Sequence, residues 1–140
     1  APVVGDAKEA LKALLPLVQP NDHTVWRNEF RKYDAIEHEK ITVPSLSGDS
    51  EKIQMGEVID LLSKKTGGEA VLVTDVGQHQ MMASRYYQFR RPNSLVTSGG
   101  MGTMGFALPA AFGAQVGAPD RQVVAIIGDG CFQMTLQELG

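Results

Sequence analysis

The sequence predicts an α/β fold, in which a partial parallel sheet is flanked by helices. Three short apolar runs, at residues 70–76, 94–98 and 122–127, have the composition of strands buried inside a parallel sheet. Segments with helical periodicity separate these runs, and a glycine directly follows each of them. The resulting βαβαβ order favours parallel strands that are joined by right-handed helical crossovers.

The first 52 residues are predicted to form helices and a linker. Asp6, followed three residues later by Glu9, makes a capping-box pattern before an apolar helical stripe that Pro16 ends. The next stretch is polar and charged, and we expect residues 21–52 to be an interdomain linker. A possible helix in this stretch places three aromatic side chains on one face: Trp26, Phe30 and Tyr33.

Residues 53–140 carry the predicted sheet. A helical face begins at Met55 and ends before Gly67 and Gly68, and the first strand follows. Three further helical patterns lie between and after the strands: residues 81–89, residues 105–116 and the segment that opens at Gly128.

The composition excludes several classes of function. Thirteen basic residues against 16 acidic ones give a net charge of −3, which argues against binding to nucleic acid or to an anionic membrane. No apolar run approaches the roughly 18 residues that a membrane span needs. The single cysteine excludes a disulfide framework and suits a reducing compartment. Because no targeting leader is visible either, we expect a cytoplasmic protein.

Charge is distributed unevenly along the chain. Residues 1–70 contain 21 charged side chains and residues 71–140 contain 8. The second half therefore has little charge with which to cover a free surface. We expect it to face other protein, and we predict that the chain self-associates through it.

Glycine turns follow all three predicted strands. They are Gly77-Gln78-His79, Gly99-Gly100-Met101-Gly102 and Gly128-Asp129-Gly130. The carboxyl ends of parallel strands meet at one edge of the sheet, which is where ligands of open α/β folds bind. Glycine at these positions lets backbone N–H groups come close to a ligand. The three turns therefore predict a binding site.

The third turn, which runs on into Cys131, predicts an anion site. Backbone N–H groups at the start of the last helix favour a phosphate, and Asp129 places a carboxylate beside it. Two negative groups are compatible if Mg²⁺ lies between them. The alternative is an ordinary Asp-Gly turn.

The segment from Gly100 to Gly105 also fits the G-x-G-x-x-G pattern of dinucleotide-binding folds. In that interpretation Asp129 would bind a ribose. Met101 and Met104 argue against it, because bulky thioethers would crowd a pyrophosphate, whereas they suit an apolar pocket wall or a core.

Two further side chains are candidates for the site. His79, with Gln78 beside it, lies just past the first strand and could donate hydrogen bonds to phosphate oxygens, or it could simply pack in the core. Cys131 could be a nucleophile, but no histidine lies near it in the sequence, and an inert small residue is the simpler interpretation.

Three segments closely resemble the catalytic subunits of the acetolactate synthase (acetohydroxyacid synthase) family of thiamine-diphosphate enzymes. They are residues 75–81, 97–111 and 128–139, in the family's order and at similar spacing. The Gly128-Asp129-Gly130 element is similar to the start of the thiamine-diphosphate signature. Residues 4–11 are similar to the end of the family's central domain. The resemblance thus implies that residues 1–20 hold the last helix of that domain and that residues 53–140 are the N-terminal part of a truncated thiamine-diphosphate-binding domain.

The resemblance also implies the ligands of a metal and a diphosphate. Asp129 would coordinate the Mg²⁺ that anchors the diphosphate. Gly128, Gly130 and Cys131 would form the turn beside it, with the N–H groups of the latter two near the phosphate.

Gln78 and His79 would contact the diphosphate in the same family-based assignment. Met104 would hold the cofactor in its bent conformation, and the backbone from Gly102 to Met104 would contact the aminopyrimidine. Bending brings the cofactor's amino group to the carbon that must lose a proton.

The family's activity implies the reaction of the parent protein. It would decarboxylate pyruvate and join the two-carbon unit to pyruvate or 2-oxobutyrate, for branched-chain amino-acid synthesis. FAD would bind mainly in the central domain, the protein would form a homodimer or a higher homo-oligomer, and a regulatory small subunit could join it.

The activating glutamate and a further Mg²⁺ ligand lie outside these residues in the family. We therefore expect a fragment with no catalytic residue of its own, inactive alone. The alternatives to this activity are another thiamine-diphosphate decarboxylase or carboligase and an NAD-dependent dehydrogenase.

Overall fold

The computed structural model describes residues 2–140 and divides into two compact units. The first unit ends at Glu39, and the second runs from Lys40 to Gly140. No helix among residues 2–140 combines the length and the hydrophobicity that crossing a membrane requires.

The first unit is helical. Helix α1 spans Ala7–Leu14, and α2 spans Thr24–Glu37. The predicted start of α1 is confirmed, because Asp6 Oδ1 accepts hydrogen bonds from the N–H groups of Lys8 and Glu9 at 3.0 and 3.1 Å. A 3₁₀ turn over Leu15–Leu17 ends the helix. Every described residue of this unit is exposed except Ala10, which is half-buried.

The second unit contains the sheet. After a π-helical turn at His38–Thr42, it comprises α3 (Val43–Leu46), α4 (Met55–Thr66), β1 (Val71–Thr74), α5 (Gln78–Tyr86), β2 (Leu95–Thr97), α6 (Ala107–Gly117), β3 (Val123–Ile126) and α7 (Asp129–Thr135), and a 3₁₀ turn at Leu136–Leu139 follows. The strand order is β2-β1-β3 with both pairings parallel, so the predicted α/β fold with a parallel sheet is confirmed.

Strand β1 is the centre of the core. Its side chains alternate between two faces. Leu72 belongs to a cluster with Ile59 of α4 and Tyr86 of α5, while Val71 and Val73 pack with Ala107 of α6. All four strand residues are buried, because helices cover both faces.

Two helix boundaries differ from the sequence prediction. The helix expected at residues 81–89 is α5, which begins at Gln78 and ends at Tyr86, so that Gln78 and His79 lie in its first turn. Gly77, with φ 149° and ψ −165°, adopts a conformation that glycine alone readily takes and starts this helix early. The next helix, α6, begins at Ala107, two residues later than expected.

Candidate binding site at the carboxyl edge of the sheet

A pocket of about 390 Å³ lies at the carboxyl ends of the neighbouring strands β1 and β3. Seven of the eight predicted site residues line it: Gln78, His79, Met104, Gly128, Asp129, Gly130 and Cys131. The eighth, Gly102, stands just outside, and a Cβ placed on it would be 4.0 Å from Val76, which does line the pocket. The fold thus gathers residues from the turns after β1 and β3 and from the loop after β2.

His79 lies over the glycine turns that follow β1 and β3. A Cβ built on Gly77 would be 3.0 Å from His79 Cε1, and one built on Gly128 would be 3.1 Å from the same atom. The imidazole therefore occupies space that only glycine leaves free at both strand ends. Its Nε2 is buried and has no hydrogen-bond partner among residues 2–140. Buried polar atoms are almost always paired, so an unpaired nitrogen in a pocket wall points to a ligand.

Asp129 begins α7 directly after Gly128 and also lines the pocket. Its side chain is exposed, and Oδ1 accepts a hydrogen bond from the N–H of Gly130 at 2.8 Å. No group of three or more His, Cys, Asp or Glu side chains with metal-binding geometry occurs among residues 2–140. A single carboxylate suits Mg²⁺, which commonly binds one or two carboxylates and completes its shell with phosphate oxygens and water.

Met104 reaches the pocket from the loop after β2. Its terminal methyl carbon lies 3.7 Å from the position of a Cβ on Gly130. Ser98 holds the start of this loop, because its carbonyl oxygen accepts from the N–H of Gly102 at 2.9 Å and its Oγ accepts from the N–H of Thr103 at 3.0 Å.

Gly105 ends the same loop with φ +81°. A Cβ there would be 3.1 Å from both Met134 Cβ and Thr135 Cγ2, so α7 packs directly on the glycine backbone. The hydroxyl of Thr135 donates to the Gly105 carbonyl oxygen at 3.1 Å. Both ends of the loop that carries Met104 are therefore fixed.

Cys131 is 3% exposed. Its thiol donates to the carbonyl oxygen of Val76 at 3.4 Å and so ties α7 to the end of β1. This bond gives the sulfur a structural role, in keeping with the interpretation of Cys131 as inert.

Gln80, the neighbour of His79, points away from the pocket residues toward β2. Its Nε2 donates to Thr97 Oγ1 at 2.8 Å. This bond fixes the first turn of α5, and with it Gln78 and His79, against the end of the neighbouring strand.

Asp75 is the principal residue that the sequence patterns missed. It is fully buried directly after β1. Its Oδ1 accepts from the N–H groups of Val76 and Gly105 at 2.9 and 3.1 Å, and Oδ2 accepts from that of Ala107 at 3.0 Å. Burial raises the pKa of this carboxyl, but the hydrogen bonds from the backbone of Ala107, Val76 and Gly105 and from the Cys131 thiol outweigh it. The pKa therefore lies below its ordinary value of 3.8.

The position of Asp75 argues against a dinucleotide at the G-x-G-x-x-G segment. In that fingerprint the N–H groups at the start of the following helix receive the pyrophosphate. Here the N–H groups of Gly105 and Ala107, at the start of α6, are already bonded to a buried carboxylate. A second anion at that point would meet electrostatic repulsion.

Met55 and Val76 also line the pocket and were not predicted as site residues. Val76 ends the first apolar run, and its position beside Gly77 is a signal that could have found it. Met55 is the first residue of α4 and lies 19 residues before the end of β1, so no local pattern connects it to the glycine turns.

Comparison with known proteins gives two findings. The family described as "Thiamine pyrophosphate enzyme, C-terminal TPP binding domain" matches residues 75–140, which include all three glycine turns. Three curated relatives are the acetolactate synthase large subunits of Lactococcus lactis (43% identical) and Corynebacterium glutamicum (44%) and the isozyme 3 large subunit of Escherichia coli (41%). Each match covers 99% of this chain and 22–24% of the relative, so the chain spans less than a quarter of their length.

Proposed function

This chain belongs to the acetolactate synthase large-subunit family, and from that premise we propose that its pocket binds the diphosphate end of thiamine diphosphate together with Mg²⁺. The observation that carries the proposal is the convergence in one pocket of an exposed carboxylate, Asp129, with the unpaired buried Nε2 of His79. A diphosphate with its cation would complement both.

The pocket residues suit different parts of the ligand. Asp129 would hold Mg²⁺, since a carboxylate oxygen is a ligand that this ion prefers. Its carboxylate now accepts the N–H of Gly130. A cation that drew the carboxylate away would free this N–H, which with that of Cys131 would then be available to a phosphate oxygen. Gln78 and the protonated or neutral imidazole of His79 would donate to the remaining phosphate oxygens.

The apolar residues suit the organic part of the cofactor. Met104 offers a flexible, polarisable thioether at the pocket wall, which can fit an irregular ring surface. The backbone from Gly102 to Met104 adjoins it, and we assign the aminopyrimidine to this side. When bound, thiamine diphosphate supplies the carbanion stabilisation that 2-oxo acid decarboxylation requires.

For the whole protein we propose acetolactate synthase activity. It would decarboxylate pyruvate and condense the two-carbon unit with pyruvate or 2-oxobutyrate. FAD and the residues that activate the cofactor would lie outside residues 2–140, and the cytoplasm is the proposed location.

The relatives named large subunits support association with a small subunit. Exposed apolar side chains in the second unit support self-association: Met101, Val116, Met134 and Leu139.

Calorimetric titration of the intact protein tests this proposal. Thiamine diphosphate should bind in the presence of Mg²⁺ and weaken when the metal is chelated, and NADH should not bind. Asp129→Ala should weaken the Mg²⁺-dependent affinity by at least about tenfold, because a direct metal ligand is lost. The matched control is Asp120→Ala, which removes an exposed carboxylate before β3, at the other end of the strand. Binding of NADH without thiamine diphosphate would instead establish a dehydrogenase.

A further inference from the structure

The carboxylate of Asp75 is fully buried and is held by hydrogen bonds. Among residues 2–140 no lysine, arginine or histidine forms an ion pair with it. Its oxygens accept hydrogen bonds from the backbone N–H groups of Val76, Gly105 and Ala107, and the Cys131 thiol lies beside them. Because a buried charge is costly unless it is fully hydrogen-bonded, this carboxylate requires these N–H groups to stay in place.

Two of these N–H groups belong to the segment that carries Met104. Gly105 follows Met104 directly, and Ala107 begins α6. Gly102 and Gly105 have φ values of +61° and +81°, so glycine gives the loop access to other backbone conformations at both points. The two hydrogen bonds to Asp75 therefore act together with the bonds to Ser98 and from Thr135 to select one conformation of the loop.

We propose that Asp75 is a positioning residue that holds Met104 in the pocket wall by fixing the N–H groups of Gly105 and Ala107. The inference rests on the proposed function, since it is the cofactor that Met104 would contact. Asp75 itself does not line the pocket. It acts through its hydrogen bonds to the backbone on the C-terminal side of Met104.

Asp75→Asn tests the inference with little change of shape. The amide keeps one acceptor and turns an N–H₂ group toward a backbone N–H, so one bond to the loop is lost. If the substitution makes the observed loop conformation a minor one, the apparent affinity for thiamine diphosphate falls in proportion to the population of that conformation. We expect about tenfold weaker binding of thiamine diphosphate with Mg²⁺ and about tenfold faster hydrogen exchange at the amides of Gly105 and Ala107.

The matched control is Ser94→Ala. Ser94 is also buried, and its hydroxyl donates to the Arg91 carbonyl at 2.8 Å and accepts from Arg121, at the opposite end of β2. It should lower the unfolding midpoint without changing cofactor affinity or exchange at residues 105 and 107. If Ser94→Ala weakens binding as much as Asp75→Asn does, the effect is one of general stability and the inference is wrong.

A double-mutant cycle separates positioning of Met104 from other effects. If Asp75 acts through Met104, Asp75→Asn should weaken binding by less than about twofold once Met104→Ala is present. Full additivity of the two losses would overturn the inference. Failure of the unsubstituted protein to bind thiamine diphosphate would overturn the proposed function instead, and the exchange rates of Gly105 and Ala107 would still report whether Asp75 holds the loop.

The unsubstituted protein provides a further test if Asp75→Asn does not fold. The amides of Gly105 and Ala107 should then be protected from exchange to the same degree as the sheet amides of Leu72 and Asp75, which donate to the carbonyls of Ser94 and Ile126. Exchange at Gly105 and Ala107 as fast as in an open loop would overturn the inference.

Discussion

The imidazole of His79 rests on the backbone of Gly128, so that a Cβ at residue 128 would be 3.1 Å from Cε1 and 3.4 Å from Nδ1. Gly128 follows β3, whereas His79 lies in the first turn of α5, which follows β1. This contact joins two of the three strand ends and sets the direction in which the unpaired Nε2 points. The imidazole can therefore take this position only because residue 128 has no side chain.

Gly128→Ala should displace the His79 ring. We expect a loss of about 1–3 kcal/mol in unfolding free energy from overpacking, and weaker binding of thiamine diphosphate with Mg²⁺. Urea unfolding and calorimetric titration measure the two effects. The control is Gly99→Ala after β2, where a Cβ would lie 3.9 Å from Thr97 Cγ2, an ordinary contact. Equal losses of unfolding free energy and of cofactor affinity in the two variants would contradict this account of His79.

Gly105→Ala should destabilise the second unit more than an alanine elsewhere in the same region. Its φ of +81° is strained for alanine, and the new Cβ would approach Met134 and Thr135 to 3.1 Å. We expect a loss of about 1–3 kcal/mol in unfolding free energy.

Gly113→Ala in α6 is the comparison, because a Cβ there meets nothing within 4 Å. Alanine is the better helix former, so this variant should gain up to about 1 kcal/mol. Thermal unfolding of both variants decides the matter, and a stabilised Gly105→Ala protein would show that the loop does not hold the observed conformation.

The meeting of the glycine turns could be predicted from the sequence, whereas the role of Asp75 could not. Three apolar runs with helices between them imply parallel strands, and parallel strands place Gly77 and Gly128 at one edge whatever the side-chain details. The bonds from Asp75 reach N–H groups 30 and 32 residues further along the chain. No periodicity or local motif encodes such a pair, because it depends on how α6 packs against the sheet.

The early start of α5 has a similar cause. Helical periodicity places its first apolar residue at Met81, but the chain turns at Gly77 and the helix includes Gln78 and His79. The bond from Gln80 to Thr97 in β2 fixes that first turn. A polar residue held by a neighbouring strand carries no hydrophobic signal, so the pattern of apolar residues alone underestimates the helix.

Asp75 should make the stability of the protein depend on pH in the acidic range. Because its pKa in the folded state is lower than its ordinary value of 3.8, the unfolded state takes up a proton first as the pH falls. The stability that the carboxylate contributes is therefore present above about pH 4 and is lost progressively below it as the pH approaches the folded-state pKa.

Unfolding free energies of the unsubstituted protein and of Asp75→Asn, measured from pH 7 down to pH 3, test this dependence. The difference between the two should be constant near neutrality and should shrink below pH 4. For Ser94→Ala, which removes no carboxyl group, the difference should not change with pH. A constant difference for Asp75→Asn across the range would show that Asp75 does not titrate with a lowered pKa.

Arg121 should contribute to stability without affecting the pocket. Its guanidinium donates to the carbonyl oxygens of Glu69 at 2.9 Å and Asn93 at 3.3 Å, and to Ser94 Oγ at 2.5 Å. These acceptors precede β1 and β2, so one planar group joins the amino ends of the strands, opposite to the pocket. Lysine is a point charge without the fork geometry and cannot reach the three acceptors in the same way.

Arg121→Lys should therefore lose about 1–3 kcal/mol in unfolding free energy, because lysine cannot keep all three charge-assisted hydrogen bonds, one of which is to the buried Ser94. The affinity for thiamine diphosphate with Mg²⁺ should stay the same, since the substitution lies at the other edge of the sheet. Arg91→Lys, at an exposed position of that edge, is the matched control and should change stability by less than about 0.5 kcal/mol. If Arg121→Lys weakened cofactor binding while leaving stability intact, the two edges of the sheet would be coupled, and the separation of a structural edge from a binding edge would be wrong.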